Sequence, residues 1–182
     1  MKMKRFSPLL AILVLFILSG SLAAQSYEKS LQKTFNVSEG MAFDLKNVNG
    51  KIAVIGWDKP HIELNATKSV QADDQEEADE VLDRIEIEID ESSRRIRVET
   101  DLPDISSGGG LISWIFGRHH RQSARVDYEI YVPKDLLIEL SSTNGRIDCE
   151  DTVGELDLNT TNGQIKVEKA IGSVSASSTN GR

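Results

Sequence analysis

The chain has 182 residues, 39% of them hydrophobic and 27% charged, with a formal net charge of −8. That mixture fits one globular domain with enough chain to bury a core, and it excludes disordered, collagenous and channel-like classes. A single cysteine excludes an intrachain disulfide framework and a Cys-based zinc cluster. The acidic balance supplies no phosphate-neutralising surface, so nucleic acid is not an expected partner.

Residues 1–24 read as a secretory signal peptide. Lys2, Lys4 and Arg5 precede the apolar run Leu9–Leu18, and Ser19, Gly20, Ser21, Leu22, Ala23 and Ala24 follow it. The run is too short to cross a hydrocarbon core about 30 Å thick, and the small residues offer a cleavage site after Ala23 or Ala24. No cysteine follows, so a lipid anchor is not expected. Removing the three basic residues leaves 18 Lys and Arg against 29 Asp and Glu, a mature charge of about −11. The expected location is the periplasm or the cell exterior.

The mature chain, residues 25–182, reads as a single domain with an N-terminal capping part over 27–133. Asn49-Gly50-Lys51-Ile52-Ala53-Val54 begins a strand that turns at Gly56-Trp57-Asp58 into the alternating Ile62, Leu64 and Ala66. Asp74-x-x-Glu77 is a capping box, and Ala78, Val81, Leu82 and Ile85 fall at helical spacing, which predicts a helix over 74–83. Ile85, Ile87 and Ile89, then Ile96 and Val98, predict a hairpin across Glu91–Arg94, with Glu86, Glu88 and Asp90 facing Arg95 and Arg97.

An insert over 101–123 breaks the pattern. Gly108-Gly109-Gly110 leads into an apolar hexapeptide and the basic Gly117-Arg118-His119-His120-Arg121. Within it, Ile112, Trp114, Ile115 and Phe116 form a candidate contact loop for a membrane surface or a partner; the alternative is that they tuck onto the sheet beneath. Val126, Tyr128, Ile130 and Val132 predict a further strand, ended by Pro133.

Residues 134–182 carry a repeat. Gly145, Gly154, Gly163, Gly172 and Gly181 stand nine apart. Ile147, Leu156, Ile165 and Val174 lie two residues after a glycine, Cys149, Leu158, Val167 and Ala176 lie four after, and Ile138 and Leu140 fill the same slots upstream. Thr143-Asn144-Gly145, Thr161-Asn162-Gly163 and Thr179-Asn180-Gly181 recur every 18 residues, and Asn-Gly is a favoured pair where the backbone needs positive φ. A fixed period is what stacked coils require. The expected fold is therefore mainly β: a β-solenoid, or β-helix, of 18-residue coils, each with two nine-residue strand-turn units, the helix and hairpin capping its first coil. Asn144, Asn162 and Asn180 would form a ladder with rungs about 4.8 Å apart. A calcium-binding nonapeptide roll needs aspartate two residues after its glycine, where this chain has aliphatic residues. Arg182 follows directly on Asn180-Gly181, so the repeat is expected either to be truncated at the C-terminus or to offer an open end for self-association.

The string Asn47-Val48-Asn49-Gly50 through Gly56-Trp57-Asp58, an acidic helix, and Val132-Pro133 leading into Thr-Asn-Gly repeats resembles the bacterial "putative adhesin" domain family, domain of unknown function 4097. The likeness covers about residues 35–182. It implies a β-helical fold in exported or envelope-associated proteins, with adhesion suggested by analogy of fold.

The residues offer little chemistry. His61, His119 and His120 have no metal-site spacing, and hydrolase, zinc-protease and phosphate-loop motifs are absent from the sequence. Cys149 takes an inward slot and reads as a small buried hydrophobe. Some β-helices act on polysaccharides through carboxylates on one face, but Asp148, Asp157 and Lys166 are ordinary residues for a solvated strand. No catalytic residue, cofactor or metal ligand is expected. Asn49, Gly50, Asn144, Gly145, Gly154, Asn162, Gly163, Gly172, Asn180 and Gly181 read as structural turns of the repeat. Two readings remain: a non-catalytic binding module whose flat polar faces meet an envelope protein or a glycan, or a structural scaffold. Membrane contact is expected only through 108–121.

Overall fold

A computed structural model describes residues 25–72, 74–102 and 124–181. The signal segment, most of the 101–123 insert and the contact-loop residues Ile112, Trp114, Ile115 and Phe116 lie outside the described residues. Within them the chain forms twelve strands and one helix, in two six-stranded sheets. The first sheet runs β1 (Gln25–Asn36), β4 (His61–Ala72), β7 (Arg125–Pro133), β3 (Ile52–Trp57), β9 (Ile147–Glu150) and β11 (Ile165–Glu168). The second runs β12 (Ile171–Ser178), β10 (Val153–Asn162), β8 (Leu137–Asn144), β2 (Ala42–Asn49), β6 (Arg95–Asp101) and β5 (Glu86–Glu91).

This is not the expected β-solenoid. Both sheets are mixed, and neither the strand order nor the pairing closes into coils. β1 with β4, β4 with β7, and β5 with β6 pair antiparallel, while the remaining neighbours pair parallel. The physical reason is that an 18-residue period dictates register only where it is present. There it does: Ile138, Leu156 and Val174 stand abreast on β8, β10 and β12, and Ile147 and Ile165 on β9 and β11. Outside that stretch, β2 joins β8 with Phe43 beside Ile138, and β4 inserts through an antiparallel partner. The hairpin does not cap a coil either. It extends the second sheet, with β6 beside β2.

Inward side chains of both sheets merge into one apolar cluster, with Phe35, Phe43, Leu45, Ile52, Ile62, Leu64, Ile96, Ile130, Ile138 and Leu140 all buried. Each such side chain contributes about 1.5–3 kcal/mol by leaving water. Tyr128 is the polar exception; its hydroxyl pairs with Thr100 at 2.6 Å, and burial pushes its pKa up to about 12. Cover thins toward β12, where Ile171 is 68% and Val174 44% exposed.

The helix α1 (Gln75–Arg84) forms where the capping box placed it. Asp74 caps it, its carboxylate accepting from the Glu77 backbone N–H at 2.9 Å, and Ala78, Val81 and Leu82 are buried. The hairpin's expected charge pairing is realised only in part. Asp90 stands opposite Arg97, but Glu88 faces Glu99 and Glu86 faces Asp101, and both arginines turn to Asp44 on β2.

The Asn-Gly turns also differ from expectation. Positive φ occurs at Gly50, but Gly145 and Gly163 do not adopt it; Gly154 and Gly172 do. Glycine is required at 163 by close approach, since a Cβ there would lie 1.8 Å from the Gly145 carbonyl oxygen.

Candidate functional site

The turn asparagines build a ladder. Asn180 donates its side-chain amide to Asn162 Oδ1, Asn162 to Asn144, and Asn144 to Asn49, each at 2.8 Å. The last rung falls on Asn49, which stands outside the 18-residue period. Thr160 and Ser178 add hydroxyl bonds to the Gly145 and Gly163 carbonyls, at 3.3 and 3.0 Å. These groups spend their hydrogen bonds on one another, so the turns hold strands in register and do not present a site.

The outer face of the second sheet is a grid. Arg97, Asp44, Glu139, Asp157 and Ser175 form one cross-strand row; Glu99, Lys46, Ser141, Asn159 and Ser177 form the next. A depression of about 350 Å³ lies between them. Arg95 organises one side of it, donating to Asp44 Oδ2 at 2.5 Å and to Glu139 Oε2 at 3.2 Å, with Arg97 3.6 Å from the same Asp44 oxygen. These pairs put the floor's charges in fixed places, as partners across a sheet do.

The outer face of the first sheet carries an aromatic cluster. Outward positions alternate with the core on each strand, which sets Ile55 and Trp57 on β3, Tyr131 on β7, and His61 and Glu63 on β4 facing out together. Because β7 lies between β3 and β4, Tyr131 has Ile55 on one side and Glu63 on the other. The Trp57 and Tyr131 rings are 5.2 Å apart and tilted by 30°; His61 meets Trp57 edge-on at 4.9 Å. The indole N–H donates to the His61 carbonyl at 2.9 Å, fixing the ring. Lys59 stands 4.2 Å over the indole and 3.7 Å from Glu63 Oε1, and His61 Nε2 is 3.0 Å from the same oxygen. The hydrogen bond from His61 holds the Glu63 carboxyl below its ordinary pKa. Tyr131 donates to Glu129 at 2.5 Å, and that bond raises its own pKa.

Sequence reasoning missed this cluster. Trp57 stood only as part of a turn, and His61 only as one of three histidines. Tyr131 gave a usable signal, an aromatic in the outward phase between Ile130 and Val132, but no sequence pattern ties it to Trp57. Cys149 is buried, and desolvation pushes its thiol up to about 12, far from a nucleophile's range. Outward of it, Asp148 pairs with Lys51 and Arg146, Glu150 pairs with Lys169, and Lys166 pairs with Glu168 at the surface. Among the described residues no group of three His, Cys, Asp or Glu side chains is placed to hold a metal ion.

No family model and no curated protein matches the chain. Solved structures similar to it include the following two. One, described as a "putative cell adhesion protein" from Clostridium sporogenes, has 10% identity and a TM-score of 0.42, over 84% of this chain and 100% of that one. The other, described as a "putative adhesin" from Bacteroides fragilis, has 11% identity and a TM-score of 0.29, over 82% of this chain and 97% of that one. Likenesses this slight carry no residue roles over.

Proposed function

We propose that the chain is an exported, non-catalytic, adhesin-like binding module that meets its partner through the outer faces of its sheets. The observation that supports this most is the grid of outward polar side chains in strict cross-strand rows on the second sheet. Such a face is already ordered before a ligand arrives, so binding loses little conformational entropy. Its spacing suits a regular array of hydroxyls or a partner's polar surface.

Ionised carboxylates suit a face that accepts hydrogen bonds from a ligand. Among the described residues the carboxyls displaced from the ordinary range, Glu63, Asp83, Asp148 and Glu150, are displaced downward. Export rests on the basic start, apolar run and small residues of 1–24.

A glycan array probed with the mature chain tests the reading. Selective capture of one set of glycans is expected. A structural or assembly role is the second reading, favoured by the exposed Ile171 and Val174 on β12. A silent array together with concentration-dependent self-association in sedimentation would replace the first reading with the second.

A further inference from the structure

We propose that Trp57 and Tyr131, with the carboxylates of Glu63 and Glu129, form a saccharide platform on the outer face of the first sheet, selective for pyranose sugars that carry no negative charge. This assignment rests on the binding-module reading and names the ligand class and the residues.

Three features of the cluster converge. A pyranose ring presents an apolar C–H face bordered by hydroxyls, and it is matched by an aromatic ring bordered by acceptors. Trp57 and Tyr131 supply adjoining aromatic surface on a rigid sheet, with the indole locked by its bond to the His61 carbonyl. Aromatic side chains held this way offer large contact area at low entropic cost. Glu63 and Glu129 flank Tyr131 from two directions, since Glu63 stands opposite it on β4 and Glu129 precedes it by one outward position on β7.

The acceptors are held in a state fit for hydroxyls. His61 and Lys59 both address Oε1 of Glu63, and Tyr131 addresses Oε1 of Glu129. A carboxylate has about four acceptor sites, so each retains capacity for a sugar O–H. Lys59 over the indole is a solvent-exposed contact, 57% accessible at its side chain. An arriving ring can displace it.

Charge sets the selectivity. Glu63 and Glu129 are the carboxylates that a ring on Tyr131 meets; Glu150 and Glu168 lie farther along the face and are paired with Lys169 and Lys166. A uronate, sialate or sulfate brought to this surface meets like charge within a screening length of about 8 Å. Neutral and amine-bearing sugars do not.

The test follows the Trp57 indole N–H by NMR in the mature chain, its resonance assigned with Trp57→Phe. The probes are trimers of N-acetylglucosamine, glucosamine, glucose (maltotriose) and galacturonate. Saturable movement of the Trp57 signal is expected with at least one of the first three, at an affinity at least about fivefold above that for the galacturonate trimer. Trp57→Ala should weaken that binding at least about tenfold with an unchanged melting temperature. Should that variant fail to fold, Glu129→Gln, at an exposed position, should still weaken binding several-fold. Equal binding of the galacturonate trimer, or a Trp57 signal that no probe moves, would overturn the platform. Glycan capture on the array with an unmoved Trp57 signal would overturn the platform and leave the binding-module reading standing; a silent array would remove both.

Discussion

Gly163 shows how tightly the turns stack. Because a β-carbon there would meet the Gly145 carbonyl at 1.8 Å, Gly163→Ala must force two backbone segments apart, and we expect a loss of about 3 kcal/mol. Urea unfolding measures it; a loss below about 0.5 kcal/mol would show that the turns separate freely. The ladder is milder. Asn162 donates to Asn144 and accepts from Asn180, so Asn162→Ala should cost about 1 kcal/mol, and Asn180→Ala, which breaks one of those bonds, should cost less. Of the carboxyls with lowered pKa among the described residues, Glu63, Asp83, Asp148 and Glu150, Asp148 is the most shielded from solvent and contributes a share of the acid sensitivity. Burial opposes its ionisation, but hydrogen bonds from Arg146 and Lys51 outweigh that and hold its pKa below the ordinary 3.8. A depressed carboxyl contributes its full stability above the unfolded value and loses it as pH falls through the folded one. Melting temperature should therefore drop from about pH 4 downward, and Asp148→Asn should flatten that limb. An identical acid limb in the variant would remove Asp148 from the account.

At the scale of elements, Arg95 ties β6 to both β2 and β8 through Asp44 and Glu139. Arg95→Ala leaves the buried Asp44 with only the longer contact to Arg97, and we expect a lower urea midpoint with an unchanged slope. Adding Asp44→Asn should recover part of the drop in a double-mutant cycle; strict additivity would show that the two residues do not couple. The helix was legible because its cap and its apolar stripe are both local: Asp74, Glu77, Ala78, Val81 and Leu82 lie within nine residues. β1 was not legible. Its inward-leaning residues Tyr27, Leu31 and Phe35 fall four apart, with Lys29 and Lys33 at the intervening positions. That spacing imitates a helix face, and only pairing with β4 makes the segment a strand.

Across the whole molecule, periodicity gave the parallel register of β8, β10 and β12 but not the architecture. Alternation of apolar and polar residues says which face of a strand is buried; it says nothing about which strand lies beside it, or in which direction. Residues 52–133 settle those choices by long-range contacts, setting β7 between β3 and β4, and the result is two open mixed sheets where coils were expected. The same rearrangement assembles the aromatic cluster. Trp57 and Tyr131 are far apart in sequence and meet only because of that strand order. The rigid outer faces are the centre of this account, and chemical-shift mapping of the mature chain with a captured glycan tests them most directly. The predicted result is perturbation of outward residues of one sheet, with inward Ile52, Val54 and Tyr128 unmoved. Shifts centred on those inward residues, or on the asparagine turns, would contradict it.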